Sequence, residues 1–153
     1  MKIYIGADHR GYLFKEKIIK ILKSLHYSVE DLGTHDDKTS CDYPEIAYKV
    51  AKRTAGSKSA RGLLVCMSGI GQTIAANKVP GAYAALCYNA ASAQLSRAHN
   101  NANILVLSAK FVKPSQLKKI ITVWLNTEFE GGRHARRIEK IKALERSEGR
   151  CQT

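Results

Sequence analysis

Nothing in the sequence marks a membrane span, a leader or a cysteine-built metal scaffold. No apolar run approaches the ~20 residues that a bilayer span needs. Met1-Lys2-Ile3-Tyr4-Ile5-Gly6 is short and gives way to a charged helical stretch, which does not fit a signal-peptide pattern, so the chain is expected in the cytoplasm. Cys41, Cys66, Cys87 and Cys151 show no CxxC spacing, which excludes a disulfide framework in a cytosolic chain and offers no zinc site. Acidic residues are scarce. Thirteen Asp and Glu against 25 Lys and Arg leave a net charge of +12, which calls for an anionic partner. No repeat, linker or low-complexity tract divides the 153 residues, a length that suits one domain, 1–153.

The basic excess sits on amphipathic stretches. Residues 133–150 hold seven Lys/Arg against three Glu, and residues 10–23 hold five against one. Both carry apolar residues at helical spacing, so these charges read as solvated helix faces. Aromatic residues do not interleave with them as a base-stacking platform requires, which argues against nucleic acid and for a small phosphorylated ligand.

Strand-like and helix-like patterns alternate throughout. Lys2–Ala7, Tyr27–Leu32, Gly62–Cys66, Tyr83–Cys87 and Ile104–Leu107 read as strands. Helical spacing runs over residues 12–25, from Tyr43-Pro44 to Ala51, over Thr73–Lys78, Ala90–His99 and Gln116–Asn126, with Arg136–Arg146 as a C-terminal helix. Alternation of this kind predicts an α/β fold: a five-stranded parallel sheet covered on both faces, in order 2-1-3-4-5. Ligands of such sheets bind at the carboxyl ends of the strands, near the point where the order reverses. Asp8-His9 ends strand one and residues 66–71 end strand three, which places the site between them.

Cys66-Met67-Ser68-Gly69-Ile70-Gly71 joins a strand to a helix, and its glycines allow backbone N–H groups to approach an anion. It is not a dinucleotide fingerprint, because Ile74 stands where a third Gly or Ala is required. No Gly-Lys-Ser/Thr follows, so it is not a P-loop. A tight turn without a ligand remains the alternative. Cys66 reads either as a buried structural thiol or, at a helix N-terminus, as a thiol of lowered pKa. Cys87, inside an apolar run, reads as inert. His9 and His99 have ordinary readings as a hydrogen-bonded surface residue and a helix C-terminal residue. Arg133 and Arg137, four apart, share a helix face and could clamp one phosphate.

Six segments in this order resemble one family: Gly6–His9, Asp42-Tyr43-Pro44, Cys66–Gly71, Ile74–Gly81, Leu95–Asn100 and Glu128–His134. From about Met1 to about Ile141 the chain is similar to ribose-5-phosphate isomerase type B, whose family includes the galactose-6-phosphate isomerase subunits. The resemblance implies a cytosolic aldose–ketose isomerase with a Rossmann-like three-layer αβα fold, dimeric or tetrameric, working without metal or cofactor. It implies interconversion of ribose 5-phosphate and ribulose 5-phosphate, in the non-oxidative pentose phosphate pathway. Cys66 matches the family's base and His99 the group that opens the sugar ring. Asp8, His9 and residues Met67, Ser68, Gly69, Ile70 and Gly71 match substrate contacts, as do Asn100, Arg133 and Arg137. Lys110 stands where the family usually has arginine, which keeps the charge and loses the bidentate fork. Met67 replaces a usual glycine and Ser68 a usual threonine. Positions 70–78 contain no acid, whereas some members place a glutamate base in that helix. Two other readings stay open: an isomerase of a six-carbon sugar phosphate such as allose or galactose 6-phosphate, and, because of Met67, a phosphosugar-binding protein that does not catalyse.

Topology adds one expectation. His99 follows a helix that runs back from the carboxyl edge, so it should lie at the amino edge, a strand's length (~17–20 Å) from Cys66. Serving one substrate then requires His99 from a partner subunit, and Arg133 and Arg137 follow another returning helix. A two-fold homodimer would carry two such composite sites.

Overall fold

A computed structural model describes residues 1–150, with side chains through Ser147; Cys151 lies outside them. Strands β1 (Lys2–Ala7), β2 (Ser28–Asp31), β3 (Arg61–Cys66), β4 (Ala84–Leu86) and β5 (Ile104–Ser108) form one all-parallel sheet. Helices α1 (Tyr12–Ser24), α2 (Tyr43–Ala55), α3 (Ile70–Ala76), α4 (Ala90–Ala98), α5 (Leu117–Asn126) and α6 (Gly132–Arg150) complete an α/β fold of three layers. No helix among the described residues is long and apolar enough to cross a membrane.

The strand order is β2-β1-β3-β5-β4, which corrects the expected 2-1-3-4-5 at the last two places. Burial gives the reason. The run Ile104-Leu105-Val106-Leu107-Ser108 is fully buried, as an apolar strand covered on both faces must be, and it takes the inner position beside β3. The three residues of β4 are only partly buried and suit an edge.

The core is split by the sheet. On one face Ile18 and Leu22 of α1, Ala93 of α4, and Ile120, Ile121 and Trp124 of α5 pack on Ile3, Ile5, Leu63 and Leu105. On the other, Ile46, Ala47 and Val50 of α2 and Ala76 of α3 pack on Leu64, Ile104 and Val106. Right-handed crossovers produce this division: steps in one direction along the sheet place α1 and α4 on one face, and steps in the other place α2 and α3 opposite.

Local signals explain the helix starts. Asn89 caps α4 by accepting from the Ser92 N–H at 2.8 Å, and Ser92 Oγ accepts from the Asn89 N–H in return. Pro44 occupies the first turn of α2, where its missing N–H is no loss. Helix α3 begins at Ile70, not at the expected Thr73, because Gly69 takes φ of 85° and turns the chain directly into the helix.

Candidate active site

Carboxyl ends of β1 and β3 meet at an open cavity of about 420 Å³, lined by Asp8, His9, Arg10, residues 40–43, Cys66, Met67, Ser68 and Gly71. The two strands are direct neighbours, with Ala7 paired to Val65. What sets their loops so close is Gly11. A Cβ there would lie 2.4 Å from the Val65 carbonyl oxygen, so only glycine lets the turn after β1 press against the end of β3. Asp8 then folds back on that turn, its Oδ1 accepting from the Gly11 N–H at 2.8 Å.

Cys66 is 6% exposed, and its Sγ accepts from the Gly69 N–H at 3.0 Å. The lowered thiol pKa expected from the helix end is not what this environment produces. Burial pushes the thiol up and the neighbouring Asp8 charge adds to it, outweighing the loop N–H groups of Gly69, Gln72 and Ser68 that pull it down. Burial also raises the Asp8 carboxyl. The reactive thiolate therefore accumulates only above the ordinary thiol value of ~8.5. Alkylation of Cys66 by iodoacetamide should accelerate about tenfold per pH unit from neutrality upward, levelling only beyond that value. Mass spectrometry of the labelled peptide over a pH series reads this directly, and a plateau below pH ~8 would contradict it.

His9 is oriented by the loop between β2 and α2. Its Nδ1 accepts from the Cys41 N–H at 3.3 Å, which leaves Nε2–H as the donor that a ligand can meet. Tyr43 closes the same side, packed so tightly on Gly71 that a Cβ at position 71 would sit 2.6 Å from its ring. Ser68 Oγ accepts from the Ile70 N–H at 3.3 Å, and the Met67 carbonyl accepts from Ser108 Oγ at 2.6 Å. Met67 keeps a partly exposed side chain at the cavity. Gly69 and Ile70 shape the loop without lining the cavity; Ile70 points outward, exposed.

The other expected residues lie elsewhere in the chain. Lys110 is exposed beyond β5, its N–H donating to the Met67 carbonyl at 3.1 Å and its ammonium over the Phe111 ring. His99 ends α4, four residues before Asn103, whose carbonyl meets the Gly62 N–H at the start of β3. Cys66 ends that strand, four residues or about 13 Å farther along it. Asn100 lines a different hollow with Ala84, Ile138 and Ile141, and Arg133 and Arg137 are exposed on the first turns of α6. One chain thus brings together Asp8, His9, Cys66, Met67, Ser68 and Gly71, and holds His99, Asn100, Arg133 and Arg137 apart from them.

Gly11, Cys41 and Ser108 contribute to the site without a mark of their own in the sequence reading. An Asp-His-Arg-Gly turn after a strand is the signal that could have found Gly11; Cys41 and Ser108 act through a backbone N–H and a hydroxyl that no motif marks.

A family model described as Ribose/Galactose Isomerase matches residues 3–141. The ribose-5-phosphate isomerase B of Escherichia coli is 41% identical over 144 residues, 94% of this chain and 96% of that one. Among solved structures, ribose-5-phosphate isomerase B of Clostridium thermocellum superposes with a TM-score of 0.93 at 46% identity, covering 96% of this chain and 99% of that chain. The enzyme of that name from Mycoplasma genitalium, solved with bound ribulose-5-phosphate, gives 0.91 at 42% identity over 95% and 96% of the two chains. With a matching model over nearly its whole length and relatives above 40% identity at near-complete coverage, the chain belongs to the ribose/galactose isomerase family.

Proposed function

We propose that this chain interconverts ribose 5-phosphate and ribulose 5-phosphate in the cytoplasm, as a homodimer, through an enediolate generated by Cys66. The family makes it an aldose–ketose isomerase. The observation that carries the assignment of the base is the buried Cys66 sulfur facing the same cavity as Asp8 and His9. The ribulose-5-phosphate bound to the Mycoplasma relative supports the five-carbon substrate.

Aldose–ketose exchange removes a weakly acidic proton from carbon 2 and returns it to carbon 1, with negative charge developing on the neighbouring oxygen. Cys66 Sγ, as thiolate, takes the proton from carbon 2 and delivers it to carbon 1, while the proton of the carbon-2 hydroxyl passes to the carbon-1 oxygen, so that the carbonyl moves from carbon 1 to carbon 2. The Gly69 N–H already serves the sulfur and the Ile70 N–H serves Ser68 Oγ, so the Gly71 N–H, on the cavity wall in the first turn of α3, is the donor for the developing oxyanion. Asp8 and the Nε2–H of His9 hold sugar hydroxyls. His99 opens the ring, Asn100 binds the sugar, and Arg133 and Arg137 hold the phosphate, all four from the partner subunit, with Lys110 adding positive charge. Outward-facing Ile70 and Ile74 of α3 and Leu95 of α4 supply apolar surface for the subunit contact.

Met67 tunes the sugar end of the cavity. Its side chain adds three heavy atoms beyond Cβ, and on this reading it excludes the sixth carbon of larger sugars. A coupled assay on ribose 5-phosphate, allose 6-phosphate and galactose 6-phosphate tests the substrate assignment. Turnover of a six-carbon phosphate alone would replace it, and turnover of none would leave a binding protein. Met67→Gly should raise kcat/KM on a six-carbon phosphate relative to ribose 5-phosphate by about tenfold, the worth of one well-placed apolar contact. An unchanged ratio would mean that Met67 points away from the substrate.

A further inference from the structure

At the end of α4 and the start of α6, two imidazoles and a carboxylate converge. His99 and His134 stack face to face, ring centroids 4.2 Å apart and planes 7° from parallel. Glu130 reaches both: its Oε2 lies 3.7 Å from Nε2 of His99 and 3.7 Å from Nε2 of His134. Backbone bonds hold the three in place. The Glu130 N–H donates to the Ala98 carbonyl at 3.0 Å, fastening the loop to the last turn of α4 beside His99. The His134 N–H donates to the Gly131 carbonyl at 3.0 Å, setting the first turn of α6.

We propose that His99, Glu130 and His134 form a binding site for a divalent transition-metal ion of the zinc type, and that the bound ion inhibits the enzyme by withdrawing His99 from ring opening. The inhibitory half rests on the role assigned to His99 above; the binding half does not.

Geometry carries the argument. A tetrahedral zinc ion about 2.0–2.1 Å from each ligand holds neighbouring ligand atoms roughly 3.4 Å apart. Both carboxylate–imidazole separations are within a few tenths of an ångström of that spacing. One ligand atom from each of the three residues falls inside 4.8 Å of the others; the lone pairs of two parallel rings do not meet, so binding opens the stack, and His99, the more exposed of the two, is the ring that swings toward the ion. Two nitrogens and one oxygen suit zinc, nickel or copper rather than magnesium or calcium, which take oxygen. Three protein ligands leave a fourth position for water or a sugar hydroxyl. His134 is buried, and its Nε2 is a hydrogen-bond acceptor, so that nitrogen carries the lone pair a metal needs. Arg133 opposes the ion. Its Nε donates to His134 Nε2 at 3.4 Å, a long bond that the metal must displace, and its charge weakens binding relative to a structural zinc site. That keeps the ion exchangeable, as a reversible inhibitor must be.

The test uses chelator-stripped protein titrated with zinc by calorimetry and with cobalt by visible absorption. In a Cys66→Ser background, which removes the thiol of the active-site cavity, one ion per chain should still bind, and cobalt should show d–d bands without sulfur-to-metal charge transfer. Glu130→Gln and His134→Ala should each weaken binding tenfold or more. On wild-type enzyme, zinc should inhibit, EDTA should reverse it, and Glu130→Gln should raise the inhibitory concentration at least tenfold. Absence of binding overturns the site, as does binding that both substitutions leave unchanged or that is lost with Cys66. Binding as stated with turnover unaffected keeps the site and removes His99 from ring opening.

Discussion

Cys66→Ala is expected to lower kcat by about 10²–10⁴-fold, the usual worth of a positioned proton-transfer group, while phosphosugar affinity changes little. The reason lies in what the sulfur touches. Sγ lies at the end of β3, faces the cavity and is held by the Gly69 N–H. Alanine leaves Asp8, His9 and the loop backbone in place, so binding survives without a base. Steady-state kinetics on ribose 5-phosphate, with calorimetric binding of the same sugar, separate the two quantities. Near-normal turnover in Cys66→Ala would move the base elsewhere, with Asp8 next in line because burial raises its carboxyl toward a useful range. With Cys66 as the proposed base, turnover in wild type should climb with pH, since the thiol is pushed up and proton abstraction requires its thiolate.

The second large effect comes from mixing two dead proteins. Cys66→Ala and His99→Ala chains, unfolded and refolded together in equal amounts, should regain roughly a quarter of wild-type activity. Random pairing makes half the dimers mixed, and each mixed dimer holds one site with both lesions and one with neither. The expectation follows from placement: His99 lies toward the strand starts, beside His134 and Glu130, whereas Cys66 lies at the strand ends. Size-exclusion chromatography and differently tagged chains establish that mixed dimers have formed. Mixed dimers without activity would mean that His99 acts within its own chain or does not act on the sugar.

Much of this arrangement is legible in the sequence. The buried strands were readable because residues covered on both faces must be apolar, and β3 and β5 are nearly uninterrupted runs. The loop after β3 was readable because a cysteine followed by two glycines between a strand and a helix has few structural uses. Strand order was not, since local patterning does not say which of two neighbouring strands takes the inner place; burial of Ile104–Ser108 decides it. Spacing shows the helix end and hides the burial, so the sequence points to a lowered thiol pKa where burial, the larger effect, raises it. The loop at residues 40–43 lines the cavity through a fold that no periodicity predicts.

Gly11 has a consequence for how this site can change over evolutionary time. With its turn in contact with the Val65 carbonyl, the spacing between Asp8 and Cys66 belongs to the sheet itself and tolerates no adjustment. The pair of Asp8 and Cys66 is then a fixed part, inherited whole or lost. Variation in which sugar is accepted must come from side chains that project into the cavity without carrying the strands, Met67 and the segment from Ser40 to Tyr43. A library confined to those positions should therefore redistribute substrate preference at nearly constant thermal stability, whereas substitutions at position 11 should be recovered only as unfolded or inactive protein.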